Sequence, residues 1–112
     1  MALTRDFKDT IQARAQRDPA FRRGLFEEAI EAFLSNDTET GKLLLRDYVN
    51  ATVGFEKLGA DLDKSPKSLM RMLSTEGNPR ADNLFAVVGH LRKQEGMTFM
   101  LRPEGQPSNH VS

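Results

Sequence analysis

Two dipeptides constrain this chain more than any other feature: Asp18-Pro19 and Ser65-Pro66. Each sets a side chain that can accept from free helix amides directly before a proline. Proline has no amide to satisfy, and its φ is already helical. Such a pair starts a helix and fits poorly inside a strand. The apolar residues around both signals recur with helical period. Phe7, Ile11 and Ala15 stand four apart and share one helical face between about residues 3 and 17. After Pro19, Leu25, Phe26, Ala29, Ile30, Phe33 and Leu34 form a wide stripe ending near Asn36. Asp37 or Thr38 can cap a third helix carrying Leu44, Leu45, Tyr48, Val49 and Thr52, which stops near Gly54.

Two short helices follow. Phe55, Leu58, Gly59 and Leu62 fit the i, i+3, i+4, i+7 pattern, and Leu69, Met72 and Leu73 form the inner face behind Ser65-Pro66. Glu76-Gly77-Asn78-Pro79-Arg80 breaks the helix, and Leu84, Val87, Val88 and Leu91 mark a last one ending near Gly96. Met97-Thr98-Phe99-Met100-Leu101 is expected as the one short strand. The fold class is therefore all-α. A chain of 112 residues fits one domain. The expected division is a single helical domain over 1–102, with an N-terminal helical extension over 1–37, a helix-turn-helix bundle over 38–96 and a strand over 97–102. Residues 103–112, rich in Pro, Gly, Ser and Asn, are expected to be a disordered tail.

The chain has no Cys, which removes disulfides, Cys-ligated zinc and thiol chemistry. His90 and His110 are far apart, and Glu27, Glu28 and Glu31 have no His nearby in sequence to complete a metal set. His90, next to Leu91, reads as a packed or surface side chain. Gly54 and Gly59 flank a helix without the context of a phosphate loop. No enzyme activity, metal or cofactor is expected. The charged start and the lack of a long apolar run point to a cytoplasmic protein with no membrane partner. Net charge is zero, which by itself does not favour nucleic acid. Residues 65–80 are the one positive segment: Lys67, Arg71 and Arg80 against Glu76, or +2.

That segment coincides with a candidate helix-turn-helix around Phe55 to Ser74. Two short helices that cross steeply need a small residue at the crossing, and Gly59 meets that demand. Glycine inside a helix otherwise costs about 1 kcal/mol relative to Ala. Asp63 can supply the left-handed turn residue, and Ser65 the cap. With Leu69 and Met72 inward, Lys67, Ser68, Met70, Arg71 and Ser74 face outward, a set suited to base edges and phosphates. A pair of short helices in any helical bundle would share the inward leucines.

The stretch from Phe55-Glu56-Lys57-Leu58-Gly59-Ala60-Asp61-Leu62 through Ser65-Pro66-Lys67-Ser68-Leu69-Met70-Arg71-Met72-Leu73 to Glu76-Gly77-Asn78-Pro79-Arg80 resembles the DNA-binding antidote proteins (antitoxins) of bacterial addiction modules. Those belong to the lambda-repressor-like helix-turn-helix class, and the likeness covers about residues 42–101. It departs at Lys64, where that class often has an apolar residue, and at Asp63, where it usually has Gly. The resemblance implies an all-helical fold, binding of double-stranded DNA, autoregulation of an operon, and pairing with a small toxin of the messenger-interferase (RelE/HigB-like) type. It also implies that Lys67, Ser68 and Arg71 read bases, and that Ser65, Asn78 and Arg80 touch the DNA backbone.

The helix with Leu25, Phe26, Ile30, Phe33 and Leu34 carries more apolar surface than one short neighbour can cover. Packing on the helix of Leu44 to Val49 and a homodimer interface are both open. Three functions compete: a sequence-specific transcriptional regulator, a protein inhibitor that neutralises a toxin by contact, and a helical interaction module without DNA binding.

Overall fold

In the computed structural model of the chain, residues 2–105 are described, with side chains from Thr10 onward. The helix-start signals act where they stand. Helix α1 (Ala2–Arg17) ends at Asp18, whose carboxylate accepts from the Phe21 amide at 3.1 Å and opens α2 (Pro19–Leu34). Asp37 caps α3 (Thr38–Ala51) through the Thr40 amide at 3.3 Å. Gly54, at φ +80°, turns the chain into α4 (Phe55–Leu62). Ser65 opens α5 (Pro66–Met72), and α6 (Ala81–Glu95) stops at Gly96, which takes the left-handed conformation at φ +72°.

These six helices among the described residues surround one core. Phe26, Leu45, Val49, Leu58, Leu69, Leu73, Val87 and Leu91 are fully buried and come from every helix after α1. At roughly 1.5–3 kcal/mol for each large apolar side chain removed from water, this shared cluster binds the short helices to the long ones. Helices α1, α2 and α3 pack on one another, α4 packs on α5, and Ala15 of α1 is buried. The side chain of Phe7 lies outside the described ones, as do residues 106–112, with His110 and most of the expected tail.

One sequence expectation is corrected, and one open question is narrowed. First, residues 97–101 form no strand, and the described residues contain none. A strand needs a second strand to satisfy its backbone. Here the Met97 amide instead closes α6 on Arg92, and Arg92 donates back to the Met97 carbonyl at 2.7 Å. The Phe99 ring then lies 5.8 Å from that of Phe26. Second, much of the apolar stripe of α2 is covered within the chain. Leu25 and Phe26 are buried within the chain, Phe26 against the rings of Tyr48 and Phe99. Ile30 and Phe33 are half-covered, and Leu34 alone is open.

Glu95 locks the end of α6 to α2 and α3. Its carboxylate accepts from Arg22 Nε at 2.9 Å, from Arg23 Nε at 3.1 Å and from the Tyr48 hydroxyl. Burial alone would raise its pKa, but the bonds from Arg22, Tyr48 and Arg23 outweigh that and hold it below the usual carboxylate value. Burial, and then donation to Glu95, pushes the Tyr48 phenol well above its ordinary value.

Candidate nucleic-acid interface

Helices α4 and α5 are joined by residues 63–65 alone. So short a connection forces the chain to reverse at once, and Asp63 does so in the left-handed conformation at φ +56°. The Lys64 amide then donates to the Gly59 carbonyl at 2.9 Å. A Cβ on Gly59 would stand 2.5 Å from the Lys64 carbonyl oxygen and 3.3 Å from the Pro66 ring. The need for glycine thus comes from the turn and the first residue of α5, rather than from the middle of the second helix.

Ser65 caps α5 by accepting from the Ser68 amide at 3.0 Å, and its hydroxyl hydrogen remains available to a ligand. Leu69 and Leu73 face the core, while Lys67, Ser68, Met70 and Arg71 are exposed. The loop after α5 folds back beneath it. A Cβ on Gly77 would lie 2.2 Å from the Arg71 carbonyl oxygen, so only glycine can approach this closely.

A groove of about 430 Å³ runs between α5, this loop and the start of α6. It is lined by five of the seven residues singled out in the sequence: Ser65, Ser68, Arg71, Asn78 and Arg80. Lys64, Arg71 and Arg80 against Glu76 make its lining net positive by two. Lys67 lies outside it on the exposed side of α5. Ser74 lies outside it too; its hydroxyl donates to the Arg71 carbonyl at 2.7 Å and closes the end of α5. Arg80 precedes α6 without capping it and pairs with Asp82 at 3.3 Å, while the Asp82 carboxylate accepts from the Asn83 amide at 2.8 Å. Both partners are largely exposed, so the pair is worth about 0–1 kcal/mol and yields readily to a phosphate.

Lys42 and Arg46, which the sequence reading did not single out, hold the groove in shape together with Lys64. Lys42 is only 2% exposed, and its ammonium donates to the carbonyls of Gly77 at 2.7 Å and Thr75 at 3.4 Å while pairing with Glu39 at 3.1 Å. Arg46, one turn further along α3, donates to the Leu73 carbonyl at 3.3 Å. Arg46 thereby places positive charge at the carbonyl end of α5, where the helix dipole favours it, while Lys42 neutralises the loop carbonyls beyond it. Lys64 donates to Asn83 at 3.1 Å, tying the turn to α6. A signal for Lys42 was present: it shares the face of Leu45 and Val49, where a lysine needs a buried partner. On the far side, His90 Nε2 lies 3.0 Å from Asp61, joining α6 to α4. Lys57, followed by His90, holds the Asp61 carboxyl below its ordinary range.

Comparison with known protein families, with curated proteins and with solved structures gives no match to this chain.

Proposed function

We propose that the chain is a sequence-specific DNA-binding regulator of its own operon, in which α4 and α5 act as a lambda-repressor-like helix-turn-helix. The observation that carries this reading is the groove. Residues from the start and end of α5, the following loop and the segment before α6 converge on one net-positive surface. The three-residue turn, the left-handed Asp63 and the closed Gly59 site support the same reading. Arg71 and Lys67 lie one turn apart on the exposed side of α5, so both can enter one major groove. Arg71 would bind guanine through both guanidinium arms. Ser65, Asn78 and Arg80 would hold phosphates. The reading includes two copies acting together, because a chain of zero net charge gains from doubled phosphate contacts.

The primary experiment titrates the protein against the DNA upstream of its own coding sequence, and against a scrambled duplex, at several salt concentrations. Arg71→Ala should lose roughly 1–3 kcal/mol of discrimination at the base it reads. Arg80→Ala should weaken binding to every duplex and flatten the salt dependence by about one unit. Equal affinity of wild type and Arg71→Ala for all duplexes would remove α5 as the reader.

A further inference from the structure

Among the described residues, an apolar surface between α2 and α6 stays open, and it carries both a hollow and the side chains to fill one. A groove of about 340 Å³ between α2 and α6 is lined chiefly by Ile30, Phe33, Leu34, Leu84, Phe85 and Val88. A second, of about 290 Å³, is lined by Glu27, Ile30, Glu31, Leu34 and Phe99. Ile30 and Leu34 belong to both, so the two are one continuous surface. Its large apolar side chains are open to water: Leu34 is 76% and Phe85 67% exposed. A contiguous apolar patch of this kind on a soluble domain marks a contact site.

The chain itself indicates the occupant. Phe99 ends the second groove, and the next two residues, Met100 and Leu101, are 80% and 93% exposed. Their own subunit leaves both side chains bare beside a hollow of matching chemistry. Arg102 follows in the exposed arm, while Glu27 and Glu31 edge the groove. An apolar arm with a cation at its end, next to an apolar groove with an acidic rim, is self-complementary under a two-fold axis. Each copy then gives its arm and receives its partner's, which is an isologous contact.

We propose that this surface is the interface with a second copy of the chain, with Met100 and Leu101 of each subunit seated in the partner's Ile30–Leu34–Phe85 groove and Arg102 against the Glu27 and Glu31 rim. The interface rests on the two-copy part of the reading above and is independent of DNA binding. It also differs from the α2 stripe that sequence alone suggests, because Leu25 and Phe26 have no part in it.

The test uses the full chain. Sedimentation at micromolar concentration should give a dimer. Met100→Glu combined with Leu101→Glu should weaken dimerisation at least about tenfold, equivalent to about 1.4 kcal/mol. Leu34→Glu should do the same, and because all three positions are exposed, each variant should remain a folded monomer with its helix content unchanged by circular dichroism. The absence of native cysteine allows a second readout. A Leu101→Cys chain mixed with a Leu34→Cys chain should form a disulfide between unlike copies in preference to like ones. Three results would overturn the proposal: a wild type that stays monomeric at high micromolar concentration, whatever other protein then covers the surface; a dimer that survives the arm or the groove variant; or no preference for the unlike disulfide. Loss of DNA binding with these results intact would count against the regulator reading alone.

Discussion

Gly59→Ala should destabilise the protein, although the same change at Gly24 or Gly89 should stabilise it. Two effects of known size oppose each other. Replacing a helix-interior glycine by alanine is worth about 1 kcal/mol in favour of the helix. Against that, the new Cβ would stand 2.5 Å from the Lys64 carbonyl oxygen. A carbon and an oxygen rest comfortably at about 3.3 Å or more, so the turn must retreat by roughly 0.8 Å. It cannot retreat freely: the Lys64 amide is bonded to Gly59 itself at 2.9 Å, and its side chain to Asn83 at 3.1 Å. Forcing an extra carbon into such a site costs about 1–3 kcal/mol. Because the obstacle is backbone, the upper half of that range applies and the net loss is about 1–2 kcal/mol. Gly89, within α6, has nothing within 4 Å of a Cβ, and the same holds for Gly24 in α2. Gly89→Ala and Gly24→Ala should therefore keep the full gain. Each kcal/mol moves the melting temperature of a domain this size by about 4 °C or more. Thermal and urea unfolding of the three variants should show one shift downward and two upward. If Gly59→Ala rose together with Gly89→Ala, the close approach at the α4–α5 turn would be refuted.

Lys42→Met keeps the buried stem but leaves the Gly77 and Thr75 carbonyls without their charged donor; a loss of about 1–3 kcal/mol is expected, with faster amide exchange across residues 74–80. Unchanged exchange there would show that the lysine does not hold the loop. Ser65→Ala should lower stability by about 0.5–2 kcal/mol through the lost cap on α5, as read by denaturant titration. Glu95 has its pKa depressed in the folded state, so its contribution is present above its ordinary value of 4.5 and is lost as pH falls through the lower folded value. Wild-type stability should therefore decline below about that pH, whereas Glu95→Gln should be weaker near neutrality and flatter on the acid side; parallel pH profiles for the two would contradict this.

Most of the helices were legible because their boundary signals are local. Asp18, Asp37 and Ser65 each accept from an amide three residues on, and Pro19 and Pro66 need only their own φ. Neither depends on what packs above, so sequence determined where α2, α3 and α5 begin. Period alone also separated the inner Leu69 from the outer Lys67 and Arg71. Other properties depend on residues far apart in the chain, and only the tertiary structure decided them. Residues 97–101 have the composition of a strand, but no second segment lies alongside, and Phe99 stays on Phe26 instead. Leu25 and Leu34 belong to one stripe in sequence, yet the first joins the core and the second stays exposed. Lys42 shares the inner face of Leu45 and Val49 in sequence, but its acceptors, the Gly77 and Thr75 carbonyls, are supplied only by the loop after α5. The groove joins Lys64 to Asn83 and brings Ser65 and Arg80 onto one wall, because α5 is too short to be held except by its neighbours. Capping and periodicity act within a turn or two of helix, so sequence reveals them. Burial, charge pairing and close approach act through space, so they await the packing of all six helices.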